Sequence, residues 1–330
     1  MPSDIAGRKP IVIMGPTACG KTELALALCR ACGGELISVD SRQVYRFLKA
    51  GTAKPDGEWR EENGLKAYFT EGVPCHLTDF LDPRQRYDAG KFIEDAGRLE
   101  KDISSRGKTP VFAGGTGMYV QAYWNGMDVL PKGDEQLRRK LSELAERIGP
   151  AAFHERLAAV DEHAARSIPV GNTQRILRAL EVYELTGIPI SRQWTRQFYG
   201  ALPTHKATFA VIDYPKPVLH ERITRRAKLI FDPMVEETRQ LLEQGYQDDC
   251  PALQSIGYPQ AIDCVRGSMS RADALHQLIT LTLAYAKRQA TWFRRYKNAI
   301  WLTMKDESEW DAGKLAERLL EHSLNKETAA

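Results

Sequence analysis

PIVIMGPTACGKTELALALCRAC, residues 10–32, decides the fold. It opens with a short branched apolar run, PIVIMG (residues 10–15), that stops at a glycine, and it ends in an apolar stretch, residues 21–32, with helical character. Between the two, Gly15, Pro16, Thr17, Ala18, Cys19, Gly20, Lys21 and Thr22 fit the pattern G-x-x-x-x-G-K-[ST]. Strand, glycine loop and helix form the context that this pattern requires. Its glycines let backbone N–H groups converge on one concavity, and the helix N-terminus adds partial positive charge. Lys21 supplies a point charge, and Thr22 offers a hydroxyl to Mg²⁺. The stretch therefore reads as a diphosphate or triphosphate site; the alternative is a plain glycine turn ahead of a helix. It specifies phosphate and leaves the nucleotide open.

Outward from this loop the same grammar repeats. ELISVD (residues 35–40) reads as the next strand, and TPVFAGGTG (residues 109–117) runs apolar into glycines before the helical MYVQAYW. Repeated strand, glycine turn and helix imply right-handed crossovers and a parallel sheet. Residues 134–148, 151–160 and 172–186 are charged amphipathic segments with no strand pattern between them, the texture of a helical insertion. KATFAVIDY (residues 206–214) restores a strand; long helices follow over 216–244 and 270–296, then NAIWL as a last strand and a polar tail. The expected fold is α/β: a P-loop NTPase-like parallel sheet core from residues 1–126 and 205–330, with a helical insertion at 127–204.

Several residues carry chemistry in this frame. Asp40 closes the strand after the P-loop helix, so its carboxylate faces the crevice at the carboxyl ends of the strands; it can also merely cap a turn. Asp213, at the end of FAVID, is the alternative acid for a phosphoryl-transfer enzyme and reads better as a solvated strand end. In GGTG (residues 114–117) small residues permit close backbone approach, and Thr116 presents a hydroxyl; a tight turn explains the motif equally well. YAKRQATWFRRYK (residues 285–297) holds five cations, no acid and interleaved aromatics, which reads as a phosphate-binding stripe or a solvated basic face.

Composition narrows the class. With 46 basic and 43 acidic residues the net charge is +3, so any basic surface is local. Six scattered cysteines suit reduced thiols, and the Cys29–Cys32 pair lies in an apolar helix-like run with no second ligand pair, so buried helix residues are expected there rather than a zinc or redox site. MPSDIAGRKP carries no apolar leader region, and no stretch approaches the roughly 18 apolar residues of a membrane span. A cytoplasmic protein that engages no membrane is expected.

Taken together, GPTACGKT, DSRQVYRFLKAGTAKP (residues 40–55), AGGTGMYVQA (113–122), QRILRALEVYELTG (174–187) and AKRQATWF (286–293) resemble the tRNA dimethylallyltransferase (isopentenyltransferase) family of bacterial type. They occur in the family's order, and the likeness spans residues 11–301. The chain departs from the usual pattern at Ala50, Pro259 and Leu283, and in showing Ile230 and Met234 after Arg226.

This resemblance implies a transferase that moves a dimethylallyl group from dimethylallyl diphosphate to N6 of an adenosine in tRNA. The acceptor would be position 37, 3′-adjacent to the anticodon, in tRNAs that read codons beginning with U; diphosphate would leave. It implies Mg²⁺ as cofactor, held with the diphosphate by Thr22, and an insertion that clamps the anticodon stem-loop. Asp40 would be the general base, Thr116 would touch the reacting region, and Arg222 and Arg226 of LHERITRR match arginines of which at least one holds the diphosphate beside the P-loop. Contacts to tRNA fall on Asp40, Ser41, Arg42 and Gln43; on Gln174, Arg175, Ile176, Leu177 and Arg178; on Ser255, Ile256, Gly257 and Tyr258; and on Lys287, Arg288 and Gln289. A monomer is expected. Three rivals stand beside this reading: a small-metabolite kinase, prenyl transfer to free AMP, and an RNA-binding module with an inert loop.

Overall fold

The computed structural model describes residues 9–62, 64–128, 130–194 and 200–327. The chain opens with β1 (Ile11–Met14) and α1 (Lys21–Cys32), then β2 (Glu35–Ser38), β3 (Glu58–Glu62), β4 (Leu65–Thr70) and β5 (Val73–His76). Next come α2 (Ala89–Ser105), β6 (Pro110–Gly114) and α3 (Gly117–Asn125). Three helices follow: α4 (Glu135–Val160), α5 (Glu162–Ser167) and α6 (Thr173–Thr186). The chain finishes with β7 (Thr208–Asp213), α7 (Lys216–Glu243), α8 (Tyr258–Arg266), α9 (Arg271–Phe293), β8 (Ile300–Thr303) and α10 (Ala312–Glu327).

The strands form one sheet in the order β3-β4-β5-β2-β6-β1-β7-β8. From β5 to β8 every pairing is parallel, whereas β3 and β4 join antiparallel at one edge. β1, β2 and β6 are buried along their whole length, which is why they read as unbroken apolar runs rather than alternating ones. The parallel core is as expected, and the antiparallel edge adds two strands that the sequence reading did not include. Its outer strand, EWREE, is largely exposed and charged, as suits a sheet edge.

Two compact units divide the chain: residues 1–124 with 201–330, and residues 125–200. The first contains the sheet. The second is all helical and has its own core, including Leu141, Phe153, Leu157, Ile176 and Leu180. Its α4 bends at Gly149, whose φ of 79° leaves the helical region ahead of Pro150. The division falls two and four residues before the boundaries expected from the sequence.

α10 corrects the expected polar tail. Leu315, Ala316 and Leu319, at helical spacing among charged residues, are buried in the same cluster as Leu24 and Leu28 of α1. Cys29 and Cys32 are buried on α1 in that cluster, and burial pushes the Cys29 thiol well above its ordinary value. Among the described residues no helix is long and apolar enough to cross a membrane.

One buried ion pair ties the sheet together. Glu35, at the start of β2, accepts hydrogen bonds from both Arg106 terminal nitrogens, and His76 Nε2 lies 2.8 Å from its Oε2. Burial alone would raise this carboxyl, yet the hydrogen bonds and charges of Arg106 and His76 win and hold it at about 2 instead of 4.5. Because the folded value lies below the unfolded one, the pair stabilises the fold above pH 4.5 and loses that contribution as pH falls toward 2. Glu35→Gln is expected to cost about 3 kcal/mol at neutral pH. Urea titrations across pH check this: the gap to the parent protein closes on acidification, and a pH-independent gap contradicts it.

Candidate active site

The carboxyl ends of β1, β2 and β6 converge. Met14 pairs with Gly114, Ser38 pairs with Ala113, and Val39 N continues the ladder to Ala113 O at 2.8 Å. A crevice at such strand ends is the usual ligand position in an open α/β sheet. Here it is a cleft of about 360 Å³ lined by P-loop residues (Thr17, Ala18, Gly20, Lys21, Thr22), by Asp40 and Gln43, by Gly114 and Gly115, and by Arg222, Arg226, Tyr285 and Gln289. Pro16 and Cys19 lie behind this lining, and Cys19 is buried.

The loop is held in shape by contacts within the chain. Gly20 precedes α1 with φ 97°, a left-handed conformation, and a Cβ there would meet the Trp310 ring at 2.5 Å. Lys21 Nζ donates to Pro16 O at 2.7 Å, which folds the lysine back over its own loop. Arg222 Nε donates to Ala18 O at 2.8 Å, and Arg226 donates to the Thr17 hydroxyl. Burial lowers the Arg226 guanidinium from its ordinary value, while Cys19 and Asp40 act the other way. Glu307 pairs with Arg222 at 3.5 Å and Arg225 at 2.8 Å, and Trp310 Nε1 donates to Glu23 at 2.9 Å; Arg225 and Glu23 also line the cleft. Arg222 and Arg226 therefore flank one phosphate loop.

Gln289 of α9 joins the loop to the opposite wall. Its Oε1 accepts from Thr17 N at 2.8 Å, and its Nε2 donates to Gly115 O at 2.9 Å. Gly114 has no room for a side chain, since a Cβ would overlap the Val39 carbonyl. That close approach brings the residues before Asp40 against the GGTG turn, where Thr116 N donates to Val39 O at 3.2 Å and Ser41 N donates to the Thr116 hydroxyl at 3.3 Å. Asp40 lies two residues past the end of β2. Its Oδ1 accepts from Arg42 N at 2.8 Å and Gln43 N at 3.2 Å, while no described residue donates to Oδ2. One oxygen thus caps the turn, and the other is left to the cleft.

Residues 43–296 match the IPP transferase family. The chain belongs to that family. A tRNA dimethylallyltransferase of Elusimicrobium minutum is 46% identical over 288 residues, 87% of this chain and 92% of the relative. Another, of Stenotrophomonas maltophilia, is 40% identical over 326 residues, 93% of this chain and 96% of the relative. Among solved structures, a tRNA isopentenylpyrophosphate transferase of Bacillus halodurans superposes with a TM-score of 0.65 at 31% identity, covering 97% of this chain and 99% of the other. These neighbours share the P-loop NTPase-like core.

The positions assigned to tRNA by resemblance to this transferase family divide by exposure. Lys287 and Arg288 are exposed on α9 with no carboxylate partner among the described residues, and with Thr291, Trp292 and Arg295 they line a second cleft. Gln174 and Arg175 are exposed on α6, whereas Ile176 is in the helical core and Leu177 packs beside it. Arg178 is committed to Glu181 at 2.5 Å and to Pro131 O at 2.7 Å. Glu181 is wholly buried; burial would raise its carboxyl, and the hydrogen bonds from Arg138 and Arg178 bring it below the ordinary value. Arg42 donates to Pro251 O at 3.0 Å. Ser255 and Tyr258 are buried, and Ile256 packs against the core beside Gly257, so side-chain contact with RNA is closed to the first two, whereas Gln289, also buried, lines the cleft. They hold backbone and loop instead.

Asp213, the alternative acid, is not among the residues lining the cleft. Burial raises its carboxyl, and Arg294 opposes the rise. Glu237, Glu307 and Trp310 brace the site without any local sequence signal, each arriving from a distant helix or loop, whereas Tyr285 heads the basic, aromatic stretch that the sequence singles out. Tyr285 is raised from its ordinary value by burial and by the nearby Asp40 charge, so it presents a neutral phenol to the cleft.

Proposed function

We propose that this chain takes a dimethylallyl group from dimethylallyl diphosphate and places it on N6 of the adenosine at position 37 of tRNA. The acceptors are tRNAs that read codons beginning with U. That the chain is a transferase acting on tRNA with a dimethylallyl group follows from its family and relatives. The single observation that supports the finer reading is the shared cleft: a phosphate loop and an acid with one free carboxylate oxygen line the same space.

The chemistry is displacement at an allylic carbon. The N6–C1 bond forms as the C1–O bond to diphosphate breaks, and the departing electrons stay with the diphosphate. P-loop N–H groups, Lys21, Arg222 and Arg226 stabilise that charge. The amino nitrogen is a poor nucleophile because its lone pair is delocalised into the ring. Asp40 Oδ2 accepts its proton, an assistance typically of ~10²- to 10⁴-fold. Thr116 keeps Ser41, and through it the Asp40 turn, against the GGTG wall.

Among the described residues no three His, Cys, Asp or Glu side chains gather as a metal site. The Thr22 hydroxyl, which lines the cleft, nevertheless suits Mg²⁺, which keeps waters and phosphate oxygens around few protein ligands. Thr22 would hold it, and it would neutralise charge on the diphosphate. Incubating the protein with labelled dimethylallyl diphosphate, Mg²⁺ and unmodified tRNA, then digesting the RNA, tests the reading. Label is expected in N6-dimethylallyladenosine at position 37; unlabelled RNA, or label elsewhere, overturns it.

Binding of tRNA is assigned in part to the exposed cations of α9, since a net charge of +3 attracts RNA weakly as a whole. Lys287→Gln with Arg288→Gln is expected to weaken tRNA binding and flatten its salt dependence by up to ~2 units of slope. Donor affinity stays the same. Filter binding across salt concentrations measures this, and an unchanged slope assigns the pair to another task. The protein is expected to work in the cytoplasm, as a monomer.

A further inference from the structure

The turn at residues 49–51 is held by an anion from within the chain. Glu237, on α7, accepts hydrogen bonds from three successive backbone N–H groups: Lys49 at 3.0 Å and Ala50 at 2.9 Å on Oε2, and Gly51 at 3.0 Å on Oε1. The buried Tyr258 hydroxyl also donates to Oε1. Successive N–H groups converging in this way form an anion-binding concavity. Gly51 lies flat on Tyr258, where a Cβ would meet the ring at 2.5 Å.

The next two residues reach the active site. Thr52 and Ala53 line the cleft, and their carbonyls accept from Gln43 Nε2 at 3.3 and 3.2 Å. Gln43 Oε1 accepts from the Ser38 hydroxyl at 3.3 Å, and Gln43 N donates to Asp40 Oδ1 at 3.2 Å. An unbroken series of hydrogen bonds and adjacent residues therefore runs from Glu237 through the turn and Gln43 to the carboxylate assigned as the base.

We propose that Glu237 is a positioning residue for prenyl transfer: its carboxylate clamps residues 49–51 and, through Thr52, Ala53 and Gln43, fixes the Asp40 carboxylate in the cleft. This rests on the reading of Asp40 as base. All four donors to Glu237 need an acceptor, so an amide there turns an N–H₂ toward at least one of them. The turn then shifts, and a displacement near 1 Å at a reacting group can cost ~10²-fold in rate.

Single-turnover rates are measured for Glu237→Gln, Asp40→Asn and the double variant, with donor and tRNA affinities and melting curves for each. Glu237→Gln is expected to slow chemistry about tenfold with both affinities held within about threefold. In the Asp40→Asn background the same change has no further effect, because there is no base left to misplace. Tyr258→Phe, which deletes one hydrogen bond and keeps the amide clamp, gives a smaller loss of about threefold that likewise vanishes without Asp40. It covers the case in which Glu237→Gln fails to fold. An unchanged rate, or an equal loss in both backgrounds, overturns the proposal; near-normal chemistry in Asp40→Asn alone overturns the base assignment instead.

Discussion

Asp40→Asn is expected to lower the single-turnover rate by ~10²-fold or more while both substrates still bind. The asparagine keeps the size of the side chain and one oxygen, so Oδ1 can still accept from Arg42 N and Gln43 N and the turn survives. What disappears is the proton acceptor facing the cleft. A carboxylate is poorly suited to bind a diphosphate directly, since like charges repel. A metal-organising role makes a different forecast: donor affinity falls, and extra Mg²⁺ restores part of the rate. Measuring the rate and both affinities across Mg²⁺ concentrations separates the two. A variant with near-normal chemistry leaves Asp40 as a turn cap.

Lys21→Met is expected to lower the rate by ~10²- to 10³-fold, the scale seen when one preorganised donor to developing charge is removed. The lysine is folded onto its own loop by Pro16 O at 2.7 Å, so little reorganisation is needed when diphosphate departs. Methionine keeps the apolar stem and removes the charge. The loss should appear in chemistry and donor binding, with tRNA affinity unchanged. Equal rates for the two proteins would show that the loop N–H groups and arginines suffice.

Much of the core was legible because its strands are buried on both faces. PIVIMG and FAVID declare themselves through branched apolar residues that stop at the crevice, and GPTACGKT fixes which end of the sheet carries the site. The β3–β4 edge was not legible, since EWREE is charged and exposed and its partner strand gives it meaning only after pairing. α10 hid for a related reason: Leu315 and Leu319 stand among lysines and glutamates in a segment of polar overall character.

In the site, the loop and Asp40 announce their chemistry locally. Gln289 does not. Its motif resembles an RNA-contact sequence, yet its side chain is buried between Thr17 and Gly115, a use visible only once α9 lies across the strand ends. Glu237 and Glu307 are ordinary helix and loop acids until α7 and the segment after β8 bring them to the turn at 49–51 and to Arg222 and Arg225. Tertiary placement, rather than residue type, gives them their roles.

On the proposed function this phosphate loop releases a diphosphate in an alkyl transfer and moves no phosphoryl group. One product inventory tests it most directly: the protein, dimethylallyl diphosphate, ATP, Mg²⁺ and unmodified tRNA are incubated together, and diphosphate, ADP and prenylated adenosine are quantified over time. Diphosphate is expected to rise in step with prenylated adenosine, with ADP absent. ADP rising in step with RNA modification, or diphosphate released without prenylated adenosine, would contradict the account.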